Sequence, residues 1–329
     1  MPDGPSVFGG TGRSRSMHTV TSPDAAHRSR ERSGILFAIG AYGIWGVLPA
    51  YFLLLQPAGA IEIVAWRILF SLIFCAVIIT ATRKWPQLIA IVRQPRLVLM
   101  MGLAAALIFV NWQVYVYGTL SGHVIETSLG YFINPIVTVL LGVLLLRERL
   151  RPLQWIAVGI SGVAVLVLAI NYGSLPWISL TLAFSFGLYG LIKKRVGGAI
   201  DAVSGLTIET AWLVPVATVQ LVVVGAGAGI TFGTVSTWHT LALISAGVVT
   251  AVPLLLFAGA ARRLPLVYMG LIQYLAPVLQ FLFGAFVLHE AMPTVRWLGF
   301  ALVWVALMVL SIDLFVAGSR TRRASPVAA

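Results

Sequence analysis

Ten stretches of this chain are apolar over about the 20 residues a helix needs to cross a hydrocarbon core of roughly 30 Å. They are residues 35–55, 62–82, 96–119, 124–146, 153–170, 175–193, 203–224, 238–260, 266–288 and 294–316. Each run is continuous. A membrane β-barrel would instead show alternating segments of about ten residues. The pattern predicts an all-α polytopic membrane protein of ten transmembrane helices with short connections. Residues 1–33 carry no apolar stretch and are rich in Ser, Arg, Gly, Pro and His. They read as a disordered cytoplasmic tail, and 317–329 read as a short basic cytoplasmic tail. The first apolar run begins at Gly34, is too long for a signal-peptide core and is followed by no small-residue cleavage site. Met1 and Met17 are both compatible starts.

The runs repeat. Residues 134–168 align without gaps to 276–310 at a constant offset of 142, with ten of 35 positions identical. Pro135/Pro277, Gly142/Gly284, Glu148/Glu290 and Trp155/Trp297 are matches that an apolar composition does not produce by itself. A weaker echo joins Gly43-Ile44-Trp45-Gly46 to Gly187-Leu188-Tyr189-Gly190. The unit is five helices, and because five is odd the second copy enters the membrane upside down. The expected organisation is therefore two inverted five-helix repeats, 34–170 and 171–316. Many secondary transporters are built this way, with the substrate site near the midplane between the repeats.

Composition agrees with a lipid solvent: 59% of residues are hydrophobic and 10% charged, and the mean hydropathy is +0.97. Soluble domains carry about 25% charged residues. The net charge of +12 raises the question of nucleic acid, and its layout answers it. Threading ten helices alternately puts 20 of the 22 Lys and Arg residues on one side, in the two tails and in the connections at 83–96, 147–151, 193–195 and 262–263. The opposite loops hold Arg296, and Arg67 lies inside the second span. This is positive-inside bias, which places both termini in the cytoplasm. The lone Cys75 and five scattered His residues offer no metal-ligand spacing. No P-loop or zinc-protease motif appears, and no catalytic or cofactor-binding residue is assigned.

An ionisable side chain inside a membrane needs a partner or a watery cavity, so each is a functional candidate. Arg67 is the one in-membrane cation and suits the anionic group of a solute; the competing role is a structural pair with Glu62, Glu126 or an interfacial carbonyl. Glu209, about two turns into its span, and Glu126, at the start of another, are candidates for proton coupling, against a hydrogen-bonded or interfacial carboxyl. Polar residues gather on two repeat-related spans, Tyr131 and Asn134 beside Pro135, and Gln273 and Tyr274 beside Pro277. Each proline frees a carbonyl one turn upstream. Two broken helices facing a central cavity are expected, with Asn111 and Trp112 lining it and Trp45 and Trp212 as further wall candidates.

These residues carry a resemblance. Gly43-Ile44-Trp45-Gly46 with Pro49-Ala50-Tyr51-Phe52, Glu62 with Arg67, and Ile208-Glu209-Thr210 with Trp212 resemble the RarD group of the EamA family, in the drug/metabolite transporter superfamily. So does the specific run Ser128-Leu129-Gly130-Tyr131-Phe132-Ile133-Asn134-Pro135. The resemblance covers about residues 34–316. It implies ten helices as two inverted repeats, a bacterial cytoplasmic (inner) membrane location, and export or exchange of a metabolite or drug without ATP. It supplies no substrate. The leading expectation is a secondary transporter of a small anionic or zwitterionic solute, working by alternating access in the lipid bilayer with protons as the coupling partner and no nucleic acid. The rival is a non-transporting membrane scaffold or sensor; an intramembrane enzyme lacks a catalytic constellation.

Overall fold

A computed structural model describes residues 23–146, 150–172, 175–196, 199–261, 263–264 and 266–324. The described chain is helical: α1 (Pro23–Leu54), α2 (Ala60–Ala81), α3 (Trp85–Val92), α4 (Pro95–Leu120), α5 (Val124–Leu146), α6 (Pro152–Tyr172), α7 (Trp177–Val196), α8 (Ala202–Ala226), α9 (Thr237–Ala261), α10 (Leu266–Ile272), α11 (Leu275–Leu282) with a π-helical turn at Phe283–Val287, and α12 (Thr294–Ala324). Eight of these are long and apolar enough to cross a membrane: α1, α2, α4, α5, α6, α8, α9 and α12. In lipid every backbone polar group must be satisfied within the chain, which is why the apolar runs become helices.

The difference from the ten expected spans falls in two places. The sixth run forms α7, whose last turn carries Lys193, Lys194 and Arg195 and so shortens its apolar stretch. The ninth is interrupted at Gln273–Tyr274, leaving a shorter apolar helix, Leu275–Val287. Two broken helices were expected, and one is found. Pro135 sits inside an unbroken α5. Pro277 lies in the first turn of α11, where a missing N–H costs no internal bond. The N-terminal tail, 1–33, is expected to be disordered, and 317–329 to be a short basic tail. Instead α1 begins at Pro23, at a first helical position proline favours, and α12 runs on to Ala324; residues 1–22, 325–329 and Glu148 lie outside the described residues. The short α3 occupies the first basic connection, burying Leu88 and Ile91. Ahead of it, Arg83 at φ 56° turns the chain out of α2.

Packing links the two parts of the chain in matched pairs. α2 packs on α8 and α6 on α12. α1 packs on α9 and α11, while α7 packs on α4 and α5. The first helix of each expected half thus leans on helices of the other half. Small residues permit the close approaches. A Cβ on Gly130 of α5 would meet the Ser179 carbonyl of α7 at 2.7 Å, and one on Gly46 of α1 would meet Leu279 of α11 at 2.6 Å. Each approach is tied by an amide: Asn134 donates to the Ala183 carbonyl (3.0 Å) and Gln280 to the Trp45 carbonyl (3.0 Å).

Candidate functional site

Arg67 lies on the buried face of α2, 5% exposed. Its Nε donates to Thr250 Oγ1 of α9 at 2.7 Å, and Thr250 in turn donates to the Ala246 carbonyl. The guanidinium carbon sits 4.2 Å from the centroid of the Trp112 ring on α4 and 5.6 Å from that of Phe52 on α1. Stacking on aromatic faces suits a planar, weakly hydrated cation. The phenols of Tyr131, Tyr115 and Tyr51 lie within electrostatic reach. Among the described residues no carboxylate lies within ion-pair distance of Arg67, and its Nη1 has no hydrogen-bond partner. The Tyr115 hydroxyl is likewise buried without a partner.

The walls of this cage are cross-braced. Asn111 donates to the Leu182 carbonyl (3.2 Å) and Ser185 Oγ (3.1 Å) of α7 and accepts from the Tyr131 hydroxyl (3.0 Å). Tyr131 packs edge-on to Tyr115 at 5.5 Å, and Tyr115 to Phe52 at 5.9 Å. Helices α1, α2, α4, α5 and α9 each contribute a side chain. Such a site presents an anion with a desolvated, oriented N–H donor among aromatic faces, and charge-assisted bonds made there are the strong ones.

Of the expected substrate residues, the structure brings Arg67, Asn111, Trp112 and Tyr131 together. Asn134 is spent on the α5–α7 contact. Tyr274 packs on a separate core with Phe281 and Phe300, and its hydroxyl meets Ser311; Gln273 shares the break with it. Trp45 packs against Tyr42 and Phe257, and Trp212 is 47% exposed with its indole donating to the Val98 carbonyl. Tyr115 and Thr250 were not anticipated. Tyr115 follows Asn111 by four residues, hence on the same helix face, and that spacing was the available signal.

The expected Glu62–Arg67 ion pair is not formed. Glu62 turns instead to the α8–α9 connection. Its Oε1 accepts from the Thr231 and Phe232 amides (2.9 and 3.1 Å) and the Trp66 indole (3.2 Å), and its Oε2 from Thr231 Oγ1 (3.0 Å). Backbone amides at a turn satisfy a carboxylate more fully than one guanidinium on its own helix.

Glu209, 1% exposed, has a counter-ion that the sequence reading assigned to the basic connection. Lys193 Nζ lies 2.8 Å from its Oε1, and the Tyr189 hydroxyl donates to Oε2 at 3.2 Å. Glu126 stands at the start of α5, where Ser179 Oγ donates to its carbonyl and the Ile178 and Ser179 amides of α7 reach its carboxylate. Glu290 does the same for α5: its carboxylate accepts from the Val124 and Ile125 amides at 2.6 and 2.9 Å. Burial pushes the Glu290 carboxyl up, against the pull of those amides, Arg296 and His123.

Residues 32–170 match the EamA-like transporter family. The chain is 48% identical to Protein RarD of Streptomyces exfoliatus, over 89% of this chain and 93% of that one. It is 40% identical to Protein RarD of Escherichia coli K12, over 89% and 98%. A solved crystal structure superposes with a TM-score of 0.54 at 18% identity, covering 86% of this chain and 97% of that one, which speaks for the fold alone.

Proposed function

The chain belongs to the EamA-like transporter family, is a multi-pass membrane protein and not an enzyme, and from that premise we propose that it is a secondary transporter of a small carboxylate-bearing solute. Arg67 is its anion-binding group. The observation that carries the reading is the buried guanidinium that stacks on Trp112, has no carboxylate partner among the described residues and keeps Nη1 unbonded. A buried cation left open is expensive. A transporter has a reason to keep it, because the missing bond is the one the solute makes.

Transport proceeds by alternating access of two inverted five-helix halves, 34–170 and 171–316, with ten crossings once α7 and the broken α10–α11 segment are included. The paired packing of α1 on α9 and α11, and of α7 on α4 and α5, supports this reading. So does the end of the family match at residue 170. Both termini face the cytoplasm of a bacterial cell, as the lysine and arginine layout supports. Glu209 carries the coupled proton. Glu126, whose Oε1 is buried without a partner, is the second candidate for that role.

The test is a thermal-shift screen of small carboxylates on the purified protein, followed by uptake of the stabilising ones into liposomes. Stabilisation and uptake that vanish in Arg67→Ala, with uptake also collapsing under a protonophore, are expected. Stabilisation unchanged in Arg67→Ala rejects Arg67 as the anion site, and a protein that moves no solute in liposomes is a scaffold.

A further inference from the structure

Arg67 is the eighth residue of α2 and Glu209 the eighth residue of α8. The helices begin at Ala60 and Ala202, 142 residues apart. The same offset separates the starts of α4 and α9, and it is the offset of the gap-free alignment of 134–168 with 276–310. The two buried charges therefore hold one position in the repeat, on two helices that pack against each other. In an inverted arrangement they lie at matching depths from opposite faces.

At the second position the cation comes from a neighbour. Lys193 reaches from the last turn of α7 to Glu209, and its Nζ stands 5.7 Å from the centre of the Tyr189 ring, an ammonium beside an aromatic as Arg67 is beside Trp112. Room is kept for it. Gly205 lies one turn before Glu209, and a Cβ there would be 2.9 Å from Lys193 Nζ. The Lys193 side chain is 30% exposed and that of Glu209 1%, so the ammonium can be approached from the basic end of the bundle while the carboxylate lies behind it. Among the described residues, the Cys75 thiol of α2, beside Thr207, is a further titratable group near Glu209; α4 presents Met101 close to Gly205.

Resting on the reading of this chain as a carboxylate transporter, we infer that Lys193 is a second anion-binding group on the transport path, which Glu209 occupies in the empty protein and a solute carboxylate takes over. The exchange balances. The solute anion binds the ammonium, Glu209 is released with Tyr189 as its remaining partner, and a carboxylate so deeply buried without a counter-ion takes up one proton from water. One anion and one proton enter together, with no net charge added.

Proton uptake by the purified full chain on adding benzoate, phenylalanine or succinate, with chloride as the control, tests this. Binding is followed in parallel by thermal shift. The wild type is expected to take up about one proton per carboxylate bound, the change in bound protons that linkage requires. Glu209→Gln and Lys193→Gln lose that uptake, and Lys193→Arg retains it, since a cation at this place is what the exchange needs. Should Lys193→Gln fail to fold, the double variant Lys193→Gln/Glu209→Gln removes the pair without stranding a charge and must also lack uptake. The inference is overturned by carboxylate binding to the wild type without proton uptake, by uptake that persists in Lys193→Gln or the double variant, or by its loss in Lys193→Arg. Uptake that depends on Lys193 but not on Arg67 leaves the inference standing and removes Arg67 as an anion site. Binding that depends on Arg67 with no uptake does the reverse, and no binding of any probe defeats both.

Discussion

Glu62 and Arg67 stand five residues apart on α2, both nearly inaccessible, yet their hydrogen-bond accounts end differently. Glu62 is closed: four donors from Trp66, Thr231 and Phe232 fill its two oxygens. Arg67 is open, with Nη1 unbonded and its charge answered by aromatic rings. A closed account belongs to architecture, here anchoring the α8–α9 connection against α2. An open one at equal depth belongs to a partner that comes and goes.

The sharpest way to break this contrast is to remove each charge in turn. Glu62→Ala strands two backbone amides and an indole N–H, and should cost about 3 kcal/mol or more of stability, read as a large fall in thermal midpoint of the purified protein. Arg67→Met should leave stability unchanged or raise it by about 1–4 kcal/mol, since an apolar residue replaces a desolvated cation, while abolishing carboxylate-induced stabilisation. Equal thermal penalties for the two variants would erase the distinction. Next in size, Trp112→Leu removes the ring under the guanidinium, worth about 2 kcal/mol when desolvated. Carboxylate affinity should fall more than tenfold with the fold retained; an unchanged affinity would detach Trp112 from the site.

The smallest effect lies away from both charges. Asp201 caps α8, accepting from the Val203 and Ser204 amides and the Ser204 hydroxyl. Burial pushes its carboxyl up, but the bonds from Ser204 and Val203 and the charge of Lys84 outweigh that and hold it below the ordinary range. A depressed carboxyl stabilises the fold above its unfolded pKa of about 4 and loses that contribution as pH falls through the folded value. Asp201→Ala should cost about 1 kcal/mol near neutral pH, with the gap to wild type closing in acid. A gap that stays constant down to pH ~3 would show that the cap does not depend on charge.

Much of the fold was legible because lipid enforces a simple rule on backbone polar groups, so an apolar run of sufficient length has one outcome. The rule fails where sequence and neighbours compete. Pro135 and Pro277 occupy the same place in the repeat, and only the second copy is broken, just before Pro277 at Gln273–Tyr274. Candidate residues were legible by type and not by direction. Arg67, Asn111, Trp112 and Tyr131 converge, whereas Asn134 was predicted with them on equal grounds and spends its amide on Ala183. The Lys193–Glu209 pair was hidden because a lysine in a basic connection reads as solvated, whereas the last turn of α7 continues through Lys193 and brings its ammonium to Glu209 of α8.

The exchange of first helices sets a schedule for synthesis. Among the described helices α1 is made first, and its C-terminal half bonds to late segments: the carbonyl of Leu55, just past its end, to His239, Tyr51 to Ala242, and the Trp45 carbonyl to Gln280, 235 residues on. At about 5–20 residues per second the ribosome takes roughly 10–50 s to deliver that last partner. Through that interval the helix must rest in lipid with the face that meets α9 and α11 unmated. A split between α6 and α7 would therefore yield two fragments that mature only when both are present, and in either order.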